Sequence, residues 1–218
     1  WMLARWTGIS GTTSTPNRSL LDGFQVLKSS RFLWLLMALI GTSQVVITLI
    51  DYQFTTAVAA NFPDEAERTA VFGRVYAAID MVAITLQLST GPIIRLLGVA
   101  GVLMAIPGLL GVSVMGFALV PKFGAIAVGK VASKAFDYSL FRAAKEILYI
   151  PLSHPERTQG KAFVDMMAYR MAKAGTSALL LALLALGQPQ LALAVTIACL
   201  LLWIWLTLQL NRRHSART

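Results

Sequence analysis

Six stretches of this chain, roughly 32–54, 70–95, 97–120, 122–150, 158–186 and 190–210, are dominated by apolar residues over at least about twenty positions each. A helix needs about 20 such residues to cross the hydrocarbon of a bilayer. Backbone N–H and C=O groups find no water there, so each span must satisfy its own hydrogen bonds as a helix. The pattern predicts an all-α membrane protein with six transmembrane helices. The second span is the least apolar, and the fourth is longer than one bilayer requires, so it is expected to project at one end. The breaks are short and rich in turn formers: Asn61-Phe62-Pro63-Asp64-Glu65, Pro121, Ser153-His154-Pro155 and Gly187-Gln188-Pro189. Pro107 lies inside the third span among Gly101, Gly108 and Gly111, which predicts a kink there.

Composition agrees. The 218 residues are 56% hydrophobic and only 13% charged, against roughly 45–50% and 25% in soluble domains. The net charge of +9 does not form a soluble basic face, because the Lys and Arg residues flank or punctuate the apolar spans. No nucleic-acid partner is expected; the lipid bilayer is. Cys199, the single cysteine, sits in the last span, so no intrachain disulfide and no cysteine metal site can form. Its expected role is that of a small apolar residue. His154 and His214 have no metal-ligand partner at useful spacing. No phosphate-binding glycine loop or nucleophile elbow is present either, so no cofactor, no metal and no enzymatic activity are expected.

The chain divides into a linker and helical lead-in over 1–30, a six-helix bundle over 31–210 and a basic tail over 211–218. It starts at Trp1 with no signal sequence, which predicts a piece of a longer protein. The loops predict its orientation. Lys28 and Arg31, Arg95, Arg157 and Lys161, and the tail residues Arg212, Arg213 and Arg217 fall on one side. Excess Lys and Arg mark the cytoplasmic face, so both termini are expected there. The glycosylation sequon at Asn17 then lies in the cytoplasm and is read as chance. Six helices with both ends inside match one half of a twelve-helix major-facilitator carrier, and a second six-helix half is the expected partner. No clear repeat exists within the chain.

Charges interrupt this apolar background between Lys130 and Lys173. An Arg, Lys or Asp at a helix centre costs about 2.5–3.5 kcal/mol on insertion scales, and such residues usually face a cavity or one another. Lys130, Lys134, Asp137 and Phe141 recur at helical spacing and share one face, which Lys145 continues. Lys134 lies about 18 Å along the helix from Pro121, near mid-membrane, while Arg142, Lys145 and Glu146 lie about 30–36 Å along it. The first group can bind an anion in the cavity, although Lys134 and Asp137 can also neutralise each other. Arg142, Lys145 and Glu146 fit a cytoplasmic gate or a structural ion-pair network. On the fifth span, Asp165 and Tyr169 share one face, and Arg170 and Lys173 another. Asp51 and Asp80, on the first two spans with Gln44 and Gln87, can couple to protons or serve as counter-ions for Lys130 and Lys134.

Over about forty residues the chain resembles the nucleotide transporter family, the ATP/ADP translocases of plastids and intracellular bacteria. The matching elements are Tyr138-Ser139-Leu140-Phe141, Lys145-Glu146, Tyr149-Ile150-Pro151-Leu152, Gly160-Lys161-Ala162, Asp165, and Lys173 with Gly175. Asp51-Tyr52-Gln53-Phe54 and Phe72-Gly73 extend the likeness more weakly. The resemblance implies the C-terminal half of a twelve-helix carrier that exchanges a nucleoside triphosphate for a diphosphate, in a bacterial inner membrane. By position it implicates Lys145, Glu146, Asp165 and Lys173. A cationic cavity suits phosphate oxygens, which accept charge-assisted hydrogen bonds from Lys and Arg. The chain departs from the family at Asp137, where a basic residue is common, and at Arg142-Ala143, where Asp-Pro is common.

Three readings follow. The first is nucleotide exchange by alternating access, with Lys130, Lys134, Asp137, Arg170 and Lys173 contacting substrate. The second is a proton-coupled carrier of another organic anion that uses Asp51 or Asp80. The third is a non-transporting membrane scaffold, which requires Lys130 and Lys134 to be fully paired and no open cavity.

Overall fold

The structure, a computed structural model, describes residues 20–215. Asn17 and most of the expected linker lie outside the described residues. All the described elements are helices: α1 (Leu20–Ser29), α2 (Arg31–Asn61), α3 (Glu65–Leu119), α4 (Phe123–Phe136), α5 (Arg142–Leu148), α6 (Lys161–Ala185) and α7 (Leu191–Ser215). Two π-helical turns, Asp137–Phe141 and Glu156–Gly160, lead into α5 and α6. Among the described residues, three helices are long and apolar enough to cross a membrane: α2, α3 and the Leu191–Arg212 part of α7. The charge ladder lies on α4, α5 and α6.

Local chemistry sets the boundaries. Ser30 is extended between α1 and α2. The α3 start is capped by the Asp64 carboxylate, which accepts from the Glu67 N–H at 3.0 Å. Glu65 and Glu67 add negative charge where the helix dipole is positive. Arg68 donates back to the carbonyls of Phe62 at 2.6 Å and Pro63 at 3.1 Å, pinning the loop. At the end of α6, Gly187 takes φ 67°. The Gln188 N–H reaches the Leu183 carbonyl, and the Gly187 N–H reaches that of Leu184. This pair of bonds closes the helix as a Schellman motif.

α3 is not one rod. A straight helix of 55 residues would run about 80 Å, far beyond a bilayer. Gly98 leaves helical geometry at φ 68°, ψ 167°. The Tyr76 ring lies 5.4 Å from Lys130 Nζ, and Ser113 Cβ lies 3.6 Å from where a Cβ on the adjacent Gly129 would stand. In a straight helix Tyr76 and Ser113 would be about 55 Å apart. The two arms of α3 therefore fold back alongside α4, with Gly98 at the reversal. The reversal falls at the expected boundary between the second and third spans, and the backbone stays helical through both Pro92 and Pro107. Proline removes one hydrogen bond, which a gentle bend absorbs. A reversal needs a positive φ, which glycine takes without a Cβ clash.

α2 is the centre of the bundle and packs against α4, α6 and α7, while α3 covers α4 and α7. Its Leu33, Leu36, Leu39, Val46, Ile50, Phe54 and Val58 are buried in one continuous core. Phe54 meets Phe72 at 5.6 Å and Phe123 at 5.9 Å, and Phe62 meets Phe123 at 5.1 Å, closing the end near Pro63 and Pro121. Trp203 stands edge-on to Phe141 at 5.6 Å, which ties α7 to the π turn before α5. Leu88, Leu96, Val112, Leu119 and Leu201 point outward, as apolar side chains do where the surroundings are lipid. Thr48, Thr176, Thr196 and Thr207 bond carbonyls four residues back and so hide their hydroxyls within their own helices.

Candidate functional site

Asp51 and Gln44 are seven residues apart on α2 and so lie on one face. That face meets the charged face of α4. Lys130 Nζ donates to Asp51 Oδ1 at 2.7 Å, and Lys134 Nζ lies 2.9 Å from Asp51 Oδ2. One carboxylate thus holds two ammonium groups. The Lys130 side chain is 5% exposed, Lys134 15% and Asp51 30%, so the pocket becomes wetter from Lys130 towards Lys134 and Asp51. Lys130 also lies 5.7 Å from the Phe54 ring and 5.4 Å from that of Tyr76, where ring quadrupoles attract a cation. Burying an ammonium is costly unless a partner compensates it, and Asp51 with the two rings compensates Lys130.

Two turns along, Gln44 Nε2 donates to Asp137 Oδ1 at 3.0 Å. Lys134 and Asp137 do not form an ion pair: the partner of Lys134 is Asp51, and Asp137 is held by an amide. Asp137 opens the π turn, whose extra residue re-aims the side chains that follow. Gln87 on α3 donates to the Tyr138 carbonyl inside that turn at 3.1 Å.

Beyond the turn, α5 and α6 exchange charges. Lys145 Nζ donates to Asp165 Oδ1 at 3.0 Å, and the Tyr149 hydroxyl donates to the same oxygen at 3.3 Å. Lys161 donates to Glu146 and lies 5.4 Å from the Tyr149 ring. Each helix thus contributes one acid and one base, which clamps the two at the end near His154. A cleft of about 300 Å³ opens between α2, the π turn with α5, and α6. Gln44, Asp137, Tyr138, Arg142, Asp165 and Tyr169 are among its lining residues.

The structure therefore brings together Asp51, Lys130 and Lys134 in one cluster, and Asp137, Arg142, Lys145, Glu146 and Asp165 around one cleft. Lys173 and Arg170 are exposed on α6, with Lys173 Nζ 4.4 Å from the Tyr169 ring. Among the described residues, Arg142, Arg170 and Lys173 have no carboxylate partner. Asp80 is exposed on α3 and joins neither cluster. Phe54, Tyr76 and Tyr149 complete the network but were not singled out by spacing. Tyr76 carries no sequence signal for this, because only the fold-back of α3 brings it to Lys130. Of the scaffold reading's two requirements, the pairing of both lysines is present, but the cleft is open.

The profile of the TLC ATP/ADP transporter family matches residues 9–214. The chain belongs to that family. TLC relatives include "ADP,ATP carrier protein 1" of Chlamydia muridarum, 30% identical over 76% of this chain and 35% of its own length. The "Plastidic ATP/ADP-transporter" of Solanum tuberosum is 26% identical over 73% and 28%. "ADP,ATP carrier protein 4" of Rickettsia prowazekii is 26% identical over 76% and 37%. The chain spans about a third of the length of these curated relatives. No solved structure matches it. Membership places it in a family of integral membrane transporters.

Proposed function

We propose that this chain is the C-terminal six-helix half of a major-facilitator-type carrier that exchanges ATP for ADP by alternating access. The observation that carries the reading is the pair of lysines on α4 that share one partly exposed carboxylate, in a chain of the TLC family. Phosphate oxygens need charge-assisted donors. Lys134 is the more accessible lysine of the pair, and Arg170 and Lys173 are uncommitted cations on α6. The arms of α3 on either side of Gly98 serve as two crossings, and with α2, α4–α5, α6 and α7 they make six over 31–210. The other six helices close the cavity, so the substrate lies between the halves. The ends near Lys28, Arg95 and His154 face the cytoplasm, and the chlamydial and rickettsial relatives support a bacterial inner membrane.

Substrate contacts are assigned to Lys134, Arg170 and Lys173, with Lys130 and Asp137 shaping the cavity wall. The crossed pairs of Lys145 and Glu146 with Asp165 and Lys161 act as a cytoplasmic clamp. Proton coupling through Asp51 is disfavoured, because that carboxylate already neutralises two lysines.

Counterflow tests this. The full-length carrier in proteoliposomes loaded with unlabelled ATP is expected to accumulate labelled ADP. A folded carrier that exchanges neither nucleotide overturns the reading.

A further inference from the structure

We infer that Asp51 is a resident competitor for the substrate: it occupies the anion position between Lys130 and Lys134, and an incoming phosphate group displaces it from Lys134 alone. The inference rests on the exchange reading and names the positioning residue of its anion site. Three observations separate the two lysines. Lys130 is the more deeply buried, and it is flanked by the Phe54 and Tyr76 rings within 6 Å, so it has little freedom to leave. Lys134 has three times its side-chain exposure, 15% against 5%, and no ring at its ammonium among the described contacts. The Asp51 carboxylate is the most exposed of the three, at 30%, and each lysine takes a different one of its oxygens. A phosphate that reaches Lys134 can therefore replace Oδ2 while Oδ1 keeps Lys130. Asp137, one turn from Lys134, is engaged by Gln44 and does not take the lysine over.

The competition has two consequences of opposite sign. With the substrate absent, Asp51 compensates Lys134, so the empty site is stable and the substrate must displace an internal partner, which weakens binding. When the product leaves, Asp51 takes Lys134 back, so release does not strand an unpaired ammonium in the bundle. Removing the charge of Asp51 should therefore tighten anion binding and slow turnover together. A merely structural aspartate would lower both affinity and rate, or neither.

The test uses the full-length carrier and two readouts: binding of inorganic pyrophosphate by calorimetry, and ATP/ADP counterflow. Asp51→Asn is expected to lower the pyrophosphate Kd by about tenfold, within the ordinary range of coupling between two competing contacts. It should also lower KM and kcat together in counterflow. Asp51→Glu should restore both towards wild type. Lys134→Gln should raise Kd, and Asp51→Asn should no longer tighten binding when combined with it. If Asp51→Asn does not fold, Asp51→Ser carries the comparison: without the carboxylate, Kd and kcat should both fall, and a Kd that does not fall overturns the inference. An unchanged or weaker pyrophosphate affinity in Asp51→Asn, or tightening that survives Lys134→Gln, overturns the inference. Wild-type protein that binds pyrophosphate but exchanges no nucleotide overturns the exchange reading and leaves the binding test of Asp51 in force.

Discussion

Asp137 shows how one amide can decide the fate of a charge in this bundle. Its only hydrogen bond from a side chain comes from Gln44 Nε2, among the described residues. The fields of Lys134, Lys145 and Lys173 reach it, but none of these lysines contacts it. Gln44 is buried on α2, whereas Asp137 is half-buried and faces the cleft. Gln44→Leu removes that donor and leaves the carboxylate to water in the cleft, at a cost of about 0.5–1.5 kcal/mol, the net contribution of an ordinary hydrogen bond. The midpoint of thermal unfolding in detergent should fall accordingly, and a wild-type midpoint would show that the contact contributes nothing. Gln44 stands seven residues before Asp51, so their common face could be read from spacing. Asp51 was a candidate counter-ion for Lys130 and Lys134, but the choice between Asp51, Asp80 and Asp137 stayed open, because Lys134 was as close in spacing to Asp137 as to any acid. What decides is distance in space: α2 and α4 run antiparallel, which sets Asp51 against Lys130 and Lys134 and leaves Asp137 opposite Gln44.

At the scale of elements, the decisive features are the π turn at Asp137–Phe141 and the reversal at Gly98. The periodicity from Lys130 to Lys145 assumes an unbroken α-helix. The π turn breaks that register, so Lys130 and Lys134 face α2 while Lys145 faces Asp165 on α6. A π turn leaves no mark in hydrophobic spacing, so this split was invisible to the pattern. Gly98 is the opposite case. The boundary between the second and third apolar spans, next to Arg95, already pointed there. An ideal Cβ on Gly98 would meet nothing within 4 Å, so the cost of substitution lies in the backbone alone. Gly98→Ala is expected to cost about 1–3 kcal/mol, since φ 68°, ψ 167° is a region almost restricted to glycine. Fluorescence-detected unfolding should register that loss. A variant as stable as wild type would mean that the reversal tolerates a side chain.

For the whole molecule, the arrangement predicts sidedness. If the loop near Pro63 and the turn near His154 lie on opposite faces, they should react with impermeant thiol reagents from opposite sides. In a Cys199→Ser background of the full-length carrier, Glu65→Cys should label in intact cells and His154→Cys only after the membrane is opened. Labelling of both from one side would contradict the proposed orientation. Part of this level was accessible before any coordinates: long apolar runs oblige a chain to be helical where water is absent. The motif from Tyr138 to Gly175 also pointed to the family that the profile match then established. Asp51 and Asp80 were both candidate counter-ions for Lys130 and Lys134, but that Asp51 alone, among the described residues, holds both lysines could not be obtained that way. Ion pairing depends on antiparallel neighbours brought together from residues 51, 130 and 134, and on a local change of helical register. Helix formation in an apolar medium is a property of each segment alone, whereas the assignment of one aspartate to two lysines exists only once those segments have packed.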